Sequence, residues 1–217
     1  MTTLPIIIIG AGGHARVIAD TLVCAGSIVM GFVDKDGSRN GQEMLGLPIM
    51  GGEDVLASFD PDAVRLVVGI GSIGNRSALE LRQQISERLR GDGWTLAGVR
   101  HPSVIVSPTA KIAVDAQIMA GAIVQVGAEI GTGAIVNTGA VIEHDSIVGP
   151  YSHVSIGTVL CGDTRIGSCS HIGAGAVVKQ GISLGDGITV GIGSVVISNH
   201  DGGVTLIGNP AKEMVQK

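Results

Sequence analysis

An aliphatic residue recurs at every sixth position through the second part of the chain, from Val106 to Val196, with no insertion. Sixteen successive positions of this series carry Ile, Val or Leu. After each of the first twelve, Ala, Ser or Thr stands four residues further on, as at Ala110 and Ala176. Such a period is typical of a parallel β-helix, in which three short strands form each triangular coil. The pattern predicts about five coils, with the aliphatic side chains stacked inside and the small residues at the corners.

The composition agrees with a narrow core of this kind. The chain of 217 residues has 35 glycines and only 2% aromatic residues, while hydrophobic residues still make up 45%. Few aromatic side chains are available to fill a wide core to native density. A narrow core of stacked aliphatic residues in short, glycine-bounded strands needs no aromatic side chains. The glycines show no three-residue period, which excludes a collagen-like chain.

The first hundred residues follow another pattern, in which strands and helices alternate. Alternation of this kind predicts right-handed βαβ units and a small parallel sheet, a Rossmann-like half domain. We predict an α/β domain over 1–103, a β-helix over 104–198 and a C-terminal tail over 199–217. The segment 36–52 is predicted to be a loop. The expected elements are strands at Ile6–Ile9, Ile28–Val33, Leu66–Ile70 and Thr95–Val99, and helices at 14–25 and Ser77–Leu89.

Charge and hydropathy exclude several classes of protein. The net charge is −5 and charged residues are only 15% of the chain, so there is no basic footprint for nucleic acid. The mean hydropathy is +0.45, yet no run of 18 apolar residues predicts insertion into a membrane. The first ten residues lack the basic start of a signal peptide. Three cysteines without a CxxC pair favour a reducing compartment, and we expect a cytoplasmic protein.

A glycine-rich turn follows the first predicted strand. The run Gly10-Ala11-Gly12-Gly13-His14-Ala15 fits the G-x-G-x-x-A turn, in which backbone N–H groups at a helix start bind phosphate. Asp34 ends the second strand, where the acidic residue of a dinucleotide site would lie. An NAD site therefore stays open, although about 100 residues hold only half of a doubly wound sheet. Glycines that merely build a turn are the simpler alternative.

The run Glu143-His144-Asp145 is the candidate for catalysis. Histidine is suited to act as a general base near neutral pH, and a neighbouring carboxylate fixes its tautomer. A solvated turn histidine is the alternative. His153 follows His144 by nine residues, about half a coil, so the two side chains are not expected to meet within one subunit. A shared site would then need a second subunit.

Two further chemistries are possible for the β-helix. His153 and His171 are eighteen residues apart and should stack in one column, which raises a zinc site shared between subunits. The Glu-His-Asp context argues against it, and we expect no metal. Cys161 could carry an acyl group as a nucleophile. A packing role for Cys161 and Cys169 is the more economical interpretation.

Four segments carry a resemblance to a known family: IIGAGGHARVIADTL, HPSVIVSPTA, NTGAVIEHDSIVGPYSHVSIG and GNPAK. Together they resemble the hexapeptide-repeat sugar acyltransferases, which include UDP-4-amino-sugar (UDP-N-acetylbacillosamine pathway) and GDP-perosamine N-acetyltransferases and sialic acid O-acetyltransferases. The resemblance covers nearly the whole chain. It implies a left-handed β-helix and a homotrimer that binds acetyl-CoA between neighbouring β-helices.

The resemblance also implies roles for individual residues. His144 matches the catalytic base and Asp145 the acid that supports it. His171 matches no residue of known role and is expected at the surface. The implied contacts to the diphosphate sugar are Gly12, Gly13 and His14, those to the base are Asp34 and Lys35, and Gly71 is a further substrate contact. The implied contacts to acetyl-CoA are His153, Gly162, Ala174 and Gly191. Lys35 departs from the Asp-Asp pair of a UDP-sugar member, so the base is left open.

The expected activity is direct acetyl transfer from acetyl-CoA to the amino group of a nucleotide-linked amino-deoxy sugar. O-acetylation of sialic acid or a related sugar is the alternative within the class. Outside it stand an NAD-binding protein and a trimeric scaffold. Binding of acetyl-CoA without binding of NAD would separate the enzyme from both.

Overall fold

The N-terminal unit of the chain is a small three-layered α/β structure. The computed structural model describes residues 4–72 and 76–214. A parallel sheet of three strands in the order β2-β1-β5 lies at its centre, with the all-buried β1 in the middle. Its elements are β1 (Ile6–Ile9), α1 (Gly13–Cys24), β2 (Val29–Val33), β3 (Glu43–Met44), β4 (Leu47–Pro48), β5 (Arg65–Val68) and α2 (Arg76–Gly91).

The predicted elements of this unit are present, with ends that differ by one or two residues. The segment predicted as a loop contains a short antiparallel hairpin of β3 and β4 and a 3-10 turn at Gly37–Arg39. The prediction of a last sheet strand at Thr95–Val99 was wrong in part. Leu96 makes an isolated bridge to Leu66, but the strand that follows, β6 (Val99–Arg100), pairs with the β-helix.

The rest of the chain is a parallel β-helix with three sheet faces. Sixteen two-residue strands, β7 to β22, each end on one of the sixteen predicted aliphatic positions. With β6 before them and β23 (Thr205–Gly208) after them, they form about six coils rather than five, because both flanking strands lie outside the periodic run. A last strand, β24 (Ala211–Glu213), pairs antiparallel with β23. The sixteen strands are β7 (Ile105–Val106), β8 (Lys111–Ile112), β9 (Gln117–Ile118), β10 (Ile123–Val124), β11 (Glu129–Ile130), β12 (Ile135–Val136), β13 (Val141–Ile142), β14 (Ile147–Val148), β15 (His153–Val154), β16 (Val159–Leu160), β17 (Arg165–Ile166), β18 (His171–Ile172), β19 (Val177–Val178), β20 (Ser183–Leu184), β21 (Thr189–Val190) and β22 (Val195–Val196).

The core of the β-helix is the predicted stack. Each strand pairs with the strand eighteen residues later, so that Val124 lies beside Ile142 and Val136 beside Val154. Fourteen of the sixteen aliphatic side chains form one buried cluster, and the first two, Val106 and Ile112, pack against it partly buried. The small residues from Ala116 to Ala176 are buried at the corners. Where the corner residue is Ser or Thr, its hydroxyl often donates to a carbonyl of the next coil, as Ser146 does to Cys161 O at 3.0 Å.

After the first coil, each corner up to Gly193 also has one residue in the left-handed backbone region. These residues recur every six positions from Gly121 to Gly193, and most are glycine, which adopts positive φ without steric cost. Four positions of the series carry another residue instead: Asp145, Tyr151, Asp163 and Cys169. A non-glycine residue in this backbone conformation is strained, so the contacts around each of the four must hold it there.

The α/β unit packs against one face of the first coils. Arg90 of α2 donates to the buried carboxylate of Asp115 and to the Tyr151 hydroxyl, the latter at 2.8 Å. Arg82, also on α2, donates to the Tyr151 carbonyl. These contacts fix the glycine-rich turn relative to the β-helix. Within the described residues, no helix has the length and apolarity that a membrane span requires.

Candidate active site

A cavity of about 670 Å³ lies where the α/β unit meets the β-helix. One wall of the cavity, from the α/β unit, consists of the glycine-rich turn and the carboxyl ends of β1, β2 and β5. Ligands of parallel α/β sheets bind at this edge, where strand order reverses. The β-helix closes the cavity from the other side with Asn137, Thr138, His153 and Ile156. All six predicted substrate contacts line it together with His153, and they are Gly12, Gly13, His14, Asp34, Lys35 and Gly71.

The glycine-rich turn is open to an anion. Helix α1 begins at Gly13, and Gly12 before it offers no side-chain cap. No acidic residue stands in the first turn, so the N–H groups at this positive helix end keep their attraction for a phosphate. A Cβ atom added at Gly12 or Gly13 would meet no heavy atom within 4 Å. Space for a ligand therefore begins directly at the turn.

Asp34 shapes this turn as well as lining the cavity. Its carboxylate accepts the Ala11 N–H at 2.6 Å and the Asp36 N–H at 2.9 Å. The Arg39 guanidinium reinforces the turn by donating to the Ala11 carbonyl at 2.6 Å. Two of the acceptor positions of Asp34 are thus used by the protein's own backbone, and Lys35 beside it supplies a positive charge at the cavity wall.

A row of three histidines runs from the cavity into the interface. The ring centroids of His14 and His153 are 6.2 Å apart, and those of His153 and His171 are 5.2 Å apart. The Ser72 N–H donates to His153 Nδ1 at 3.2 Å, and the Asn137 side-chain amide lies 3.1 Å from His153 Nε2. Burial holds the pKa of His153 well below its usual value, and the positive charge of Arg82 adds to the effect.

His171 corrects the sequence prediction. It was expected at the surface, but only 7% of the residue is exposed, because it lies against the His153 ring and near Arg82 of α2. Burial, with Arg82 nearby, lowers the pKa of His171 to about 4. Burial also lowers the pKa of Arg82 to about 10, so this guanidinium stays charged at neutral pH. The cluster is therefore one buried cation beside neutral imidazoles.

His144 and Asp145 form a second site on a different face of the β-helix. His144 follows β13, and its Nδ1 lies 3.0 Å from Asp145 Oδ2. Asp145 occupies one of the left-handed corner positions, with φ of 59°. The side chain of His144 is 46% exposed. With Nδ1 occupied by the carboxylate, Nε2 is the nitrogen available to take a proton.

Gly162 lies directly beneath this histidine. It stands eighteen residues after His144, and a Cβ atom added to it would lie 2.3 Å from His144 Nε2. Only glycine leaves room for the imidazole in this position. The other two residues predicted to contact acetyl-CoA lie elsewhere on the coils. Ala174 stands in the column above Ile156, and the Gly191 N–H already donates to the Leu206 carbonyl at 2.7 Å.

The structure therefore brings the predicted residues other than Ala174 and Gly191 into two groups. The substrate group and His153 meet at the cavity, while His144, Asp145 and Gly162 meet outside it. As expected from their spacing, His144 and His153 stand on different sheet faces. Within the described residues, no group of three His, Cys, Asp or Glu side chains is arranged to hold a metal ion.

Comparison with known proteins places this arrangement in context. The PglD N-terminal domain family matches residues 5–89. The acetyltransferase domain of PglB from Neisseria gonorrhoeae is 36% identical with a TM-score of 0.88, covering 98% of this chain and 100% of that one. The chain belongs to the hexapeptide-repeat sugar N-acetyltransferases.

Other solved members extend the comparison. The PglB domain in complex with acetyl coenzyme A is 36% identical with a TM-score of 0.87 and covers 97% of this chain and 98% of that one. A histidine-to-asparagine variant of perosamine N-acetyltransferase from Caulobacter crescentus, in complex with CoA and GDP-perosamine, is 34% identical with a TM-score of 0.89, covering 98% and 97%. A search of curated proteins gave no significant match. The predicted family and the fold, an α/β unit followed by a left-handed parallel β-helix, are confirmed.

Sequence reasoning missed several polar residues of this N-acetyltransferase. Gln117, Asn137 and Arg82 all contribute to the cavity or its support. Asn137 directly follows its strand, whereas His144 is the second residue after its own. Nothing in the six-residue period distinguishes Asn137 from the other residues at that position. Gln117 opens a strand at a position that also carries Lys111 and Glu129, so only its burial in the structure shows that the amide needs hydrogen-bond partners.

Proposed function

We propose that the protein transfers the acetyl group of acetyl-CoA to the amino group of a nucleotide-linked amino-deoxy sugar. The observation that carries the proposal is the pairing of a phosphate-compatible cavity with a His144–Asp145 pair in which the imidazole Nε2 has no hydrogen-bond partner among the described residues. The relatives support both substrates, because the PglB domain was solved with acetyl coenzyme A and the perosamine enzyme with GDP-perosamine. The nucleotide would lie on the glycine-rich turn, with Asp34 and Lys35 toward its base.

In this mechanism His144 acts as the general base. The neutral sugar amine attacks the thioester carbonyl, and Nε2 of His144 takes the proton that the nitrogen loses. Asp145 holds the imidazole in the correct tautomer and stabilises the imidazolium that forms. Backbone N–H groups receive the charge on the carbonyl oxygen. The C–S bond then breaks, and the proton on His144 passes to the CoA thiolate, so no covalent intermediate with the protein is needed.

We further propose that the active site is shared between subunits of a homotrimer. Within one chain, the cavity and His144 lie on different faces of the β-helix. A cyclic trimer places one face of each subunit against another face of its neighbour, so it can bring these two groups together. His153, Gly162, Ala174 and Gly191 stand on the coils that would border acetyl-CoA in such a groove. The low cysteine content and the two substrates support a cytoplasmic enzyme of glycan biosynthesis.

The activity is tested by a mass-spectrometric screen of acetyl-CoA with UDP-, GDP- and dTDP-linked amino sugars. CMP-linked and free sialic acid are included, since their acetylation would replace the proposal by O-acetyl transfer. His144→Ala should lower kcat by ~10²–10⁴-fold, the usual contribution of a general base. His101→Ala is the control, because His101 is a partly exposed histidine bonded to Ser103. Wild-type turnover by His144→Ala would exclude the assigned role.

The role of Asp145 has a matched control one coil further on. Asp163 occupies the equivalent left-handed position but pairs with Arg165 instead of a histidine. Asparagine tolerates this backbone conformation, so both Asp→Asn variants should fold. Asp145→Asn should lower kcat by at least ~10-fold, because the uncharged amide cannot stabilise the imidazolium and can turn its NH₂ group toward Nδ1, which favours the wrong tautomer. Equal effects of Asp145→Asn and Asp163→Asn would mean that neither acts in catalysis.

The shared site is tested by mixing two inactive variants. His144→Ala keeps the cavity, and Gly13→Asp keeps His144 but adds a negative charge where the phosphate would bind. Subunits co-expressed in equal amounts should recover about one quarter of wild-type activity, the fraction of heterologous interfaces with both intact parts. A site contained in one subunit would recover none.

A further inference from the structure

Gln117 connects the β-helix to the cavity wall of the α/β unit. It opens strand β9, and only 3% of it is exposed. Its side-chain N–H donates to the Val68 carbonyl at 2.8 Å, at the end of β5. Its Oε1 lies 2.8 Å from Nε2 of His14, at the start of α1. One amide therefore contacts both elements that carry the glycine-rich turn and its neighbouring strand.

These two contacts fix the tautomer of His14. Because the NH₂ group of Gln117 is engaged by a carbonyl, the oxygen is the atom that faces His14. An oxygen acceptor requires the proton of the imidazole on Nε2. Burial lowers the pKa of His14 and outweighs the hydrogen bond to Gln117, which raises it, while the positive charge of Arg82 lowers it further, so the neutral ring is favoured. Nδ1 is then unprotonated and carries a lone pair that can accept a hydrogen bond.

The cavity is where this lone pair can act. His14 lines the cavity, and among the described residues Nδ1 has no hydrogen-bond partner. A bare nitrogen acceptor repels the oxygen atoms of a phosphate, which are themselves acceptors and negatively charged. It is satisfied instead by an O–H or N–H donor. The phosphates are left to the N–H groups at the start of α1.

We infer that Gln117 is a positioning residue that holds His14 as a hydrogen-bond acceptor for a hydroxyl or amino donor of the nucleotide-linked sugar, not for its phosphates. The inference rests on the proposed function for the identity of the ligand. It divides the recognition of the substrate between two chemistries. Backbone N–H groups at Gly12 and Gly13 take the anion, while one imidazole nitrogen selects a donor next to it.

The first test needs no ligand. In protein labelled with ¹⁵N-histidine, long-range ¹H–¹⁵N spectra distinguish the two neutral tautomers, and His14→Asn assigns the signal. We expect the Nε2–H form in the wild type. Gln117→Met should lose this single form, whereas Gln125→Met, a glutamine that lines none of the described cavities, should keep it. An Nδ1–H tautomer in the wild type would overturn the inference.

The second test measures binding and turnover with a nucleotide amino sugar accepted by the wild type. Gln117→Met should raise the KM for that sugar about threefold to tenfold, the effect of one hydrogen bond, and leave kcat and the KM for acetyl-CoA unchanged. Binding to the wild type should take up no proton in calorimetry with buffers of different ionisation enthalpy. Proton uptake would show that His14 binds phosphate as an imidazolium and would refute the inference.

Gln117→Glu provides the conservative variant. Its carboxylate still accepts from Nε2, but the negative charge favours the imidazolium form of His14. The KM for the sugar should therefore rise as pH falls from 8 to 6 in this variant and stay level in the wild type. If no amino sugar is acetylated, the proposed function fails while the tautomer measurement still decides the role of Gln117. If turnover occurs and the Gln117 variants match the wild type, only the inference fails.

Discussion

Replacing Gly162 by alanine should displace His144, the proposed general base, without unfolding the β-helix. Gly162 does not have positive φ, so alanine imposes no backbone strain there. Its Cβ would lie 2.3 Å from Nε2 and 2.5 Å from Cε1 of His144. Ordinary contacts between heavy atoms begin near ~3.5 Å, so the imidazole must move by about 1 Å or more. Displacement of that size from a productive geometry can lower kcat by ~10–10²-fold.

The assay follows release of the CoA thiol at saturating acetyl-CoA and amino sugar. Gly91→Ala is the control, because a Cβ atom there meets nothing within 4 Å. Thermal unfolding should show Gly162→Ala within ~0.5 kcal/mol of the wild type, since a half-exposed side chain can swing aside. Wild-type kcat in Gly162→Ala would refute the geometry. A large loss of stability would show that the imidazole cannot move and that strain enters the backbone instead.

Three further predictions concern stability. The pKa of His171 is about 4 in the folded protein and 6.5 is its ordinary value, so the unfolded chain binds the proton more tightly. The free energy of unfolding should therefore fall by about 3 kcal/mol as pH drops from 6.5 to 4. Urea titrations of His171→Gln should show a weaker dependence of this free energy on pH. Gly149→Ala places a Cβ atom 2.6 Å from a main-chain carbon of the next coil and should cost about 1–3 kcal/mol or more in thermal unfolding, whereas Gly91→Ala should cost none. Arg90→Ala leaves the buried carboxylate of Asp115 without its cation and should cost ~1–3 kcal/mol, with partial recovery in the double variant with Asp115→Leu.

The periodic part of the fold could be predicted from sequence because its rule is local. Each inward position is aliphatic for the same reason, which is stacking on its equivalent in the next coil. The number of coils was underestimated because β6 and β23 lack the period but still pair with it. At the two ends of the β-helix, strand pairing depends on packing against the α/β unit and on β24. The six-residue period carries no information about either.

The site could be predicted only in part, for a related reason. His144, Asp145 and the glycine-rich turn are local motifs, and their sequence neighbours define them. The burial of His171 and the role of Gln117 depend on which face of the β-helix α2 and the turn cover. Residues at these positions would be solvent-exposed on an isolated β-helix. One local signal was available: Asp145 and Asp163 interrupt a glycine series, and only the first stands beside a histidine.

The contacts between α2 and the β-helix also set an order for assembly. The hydrogen bonds that the described residues make between the two units reach β-helix positions no later than Cys169, which contacts Gln83. Every coil pairs with the coil before it, and the α/β unit precedes them all on the ribosome. Each newly synthesised coil therefore meets a finished template, and the solenoid can lengthen by one coil for every eighteen residues that emerge.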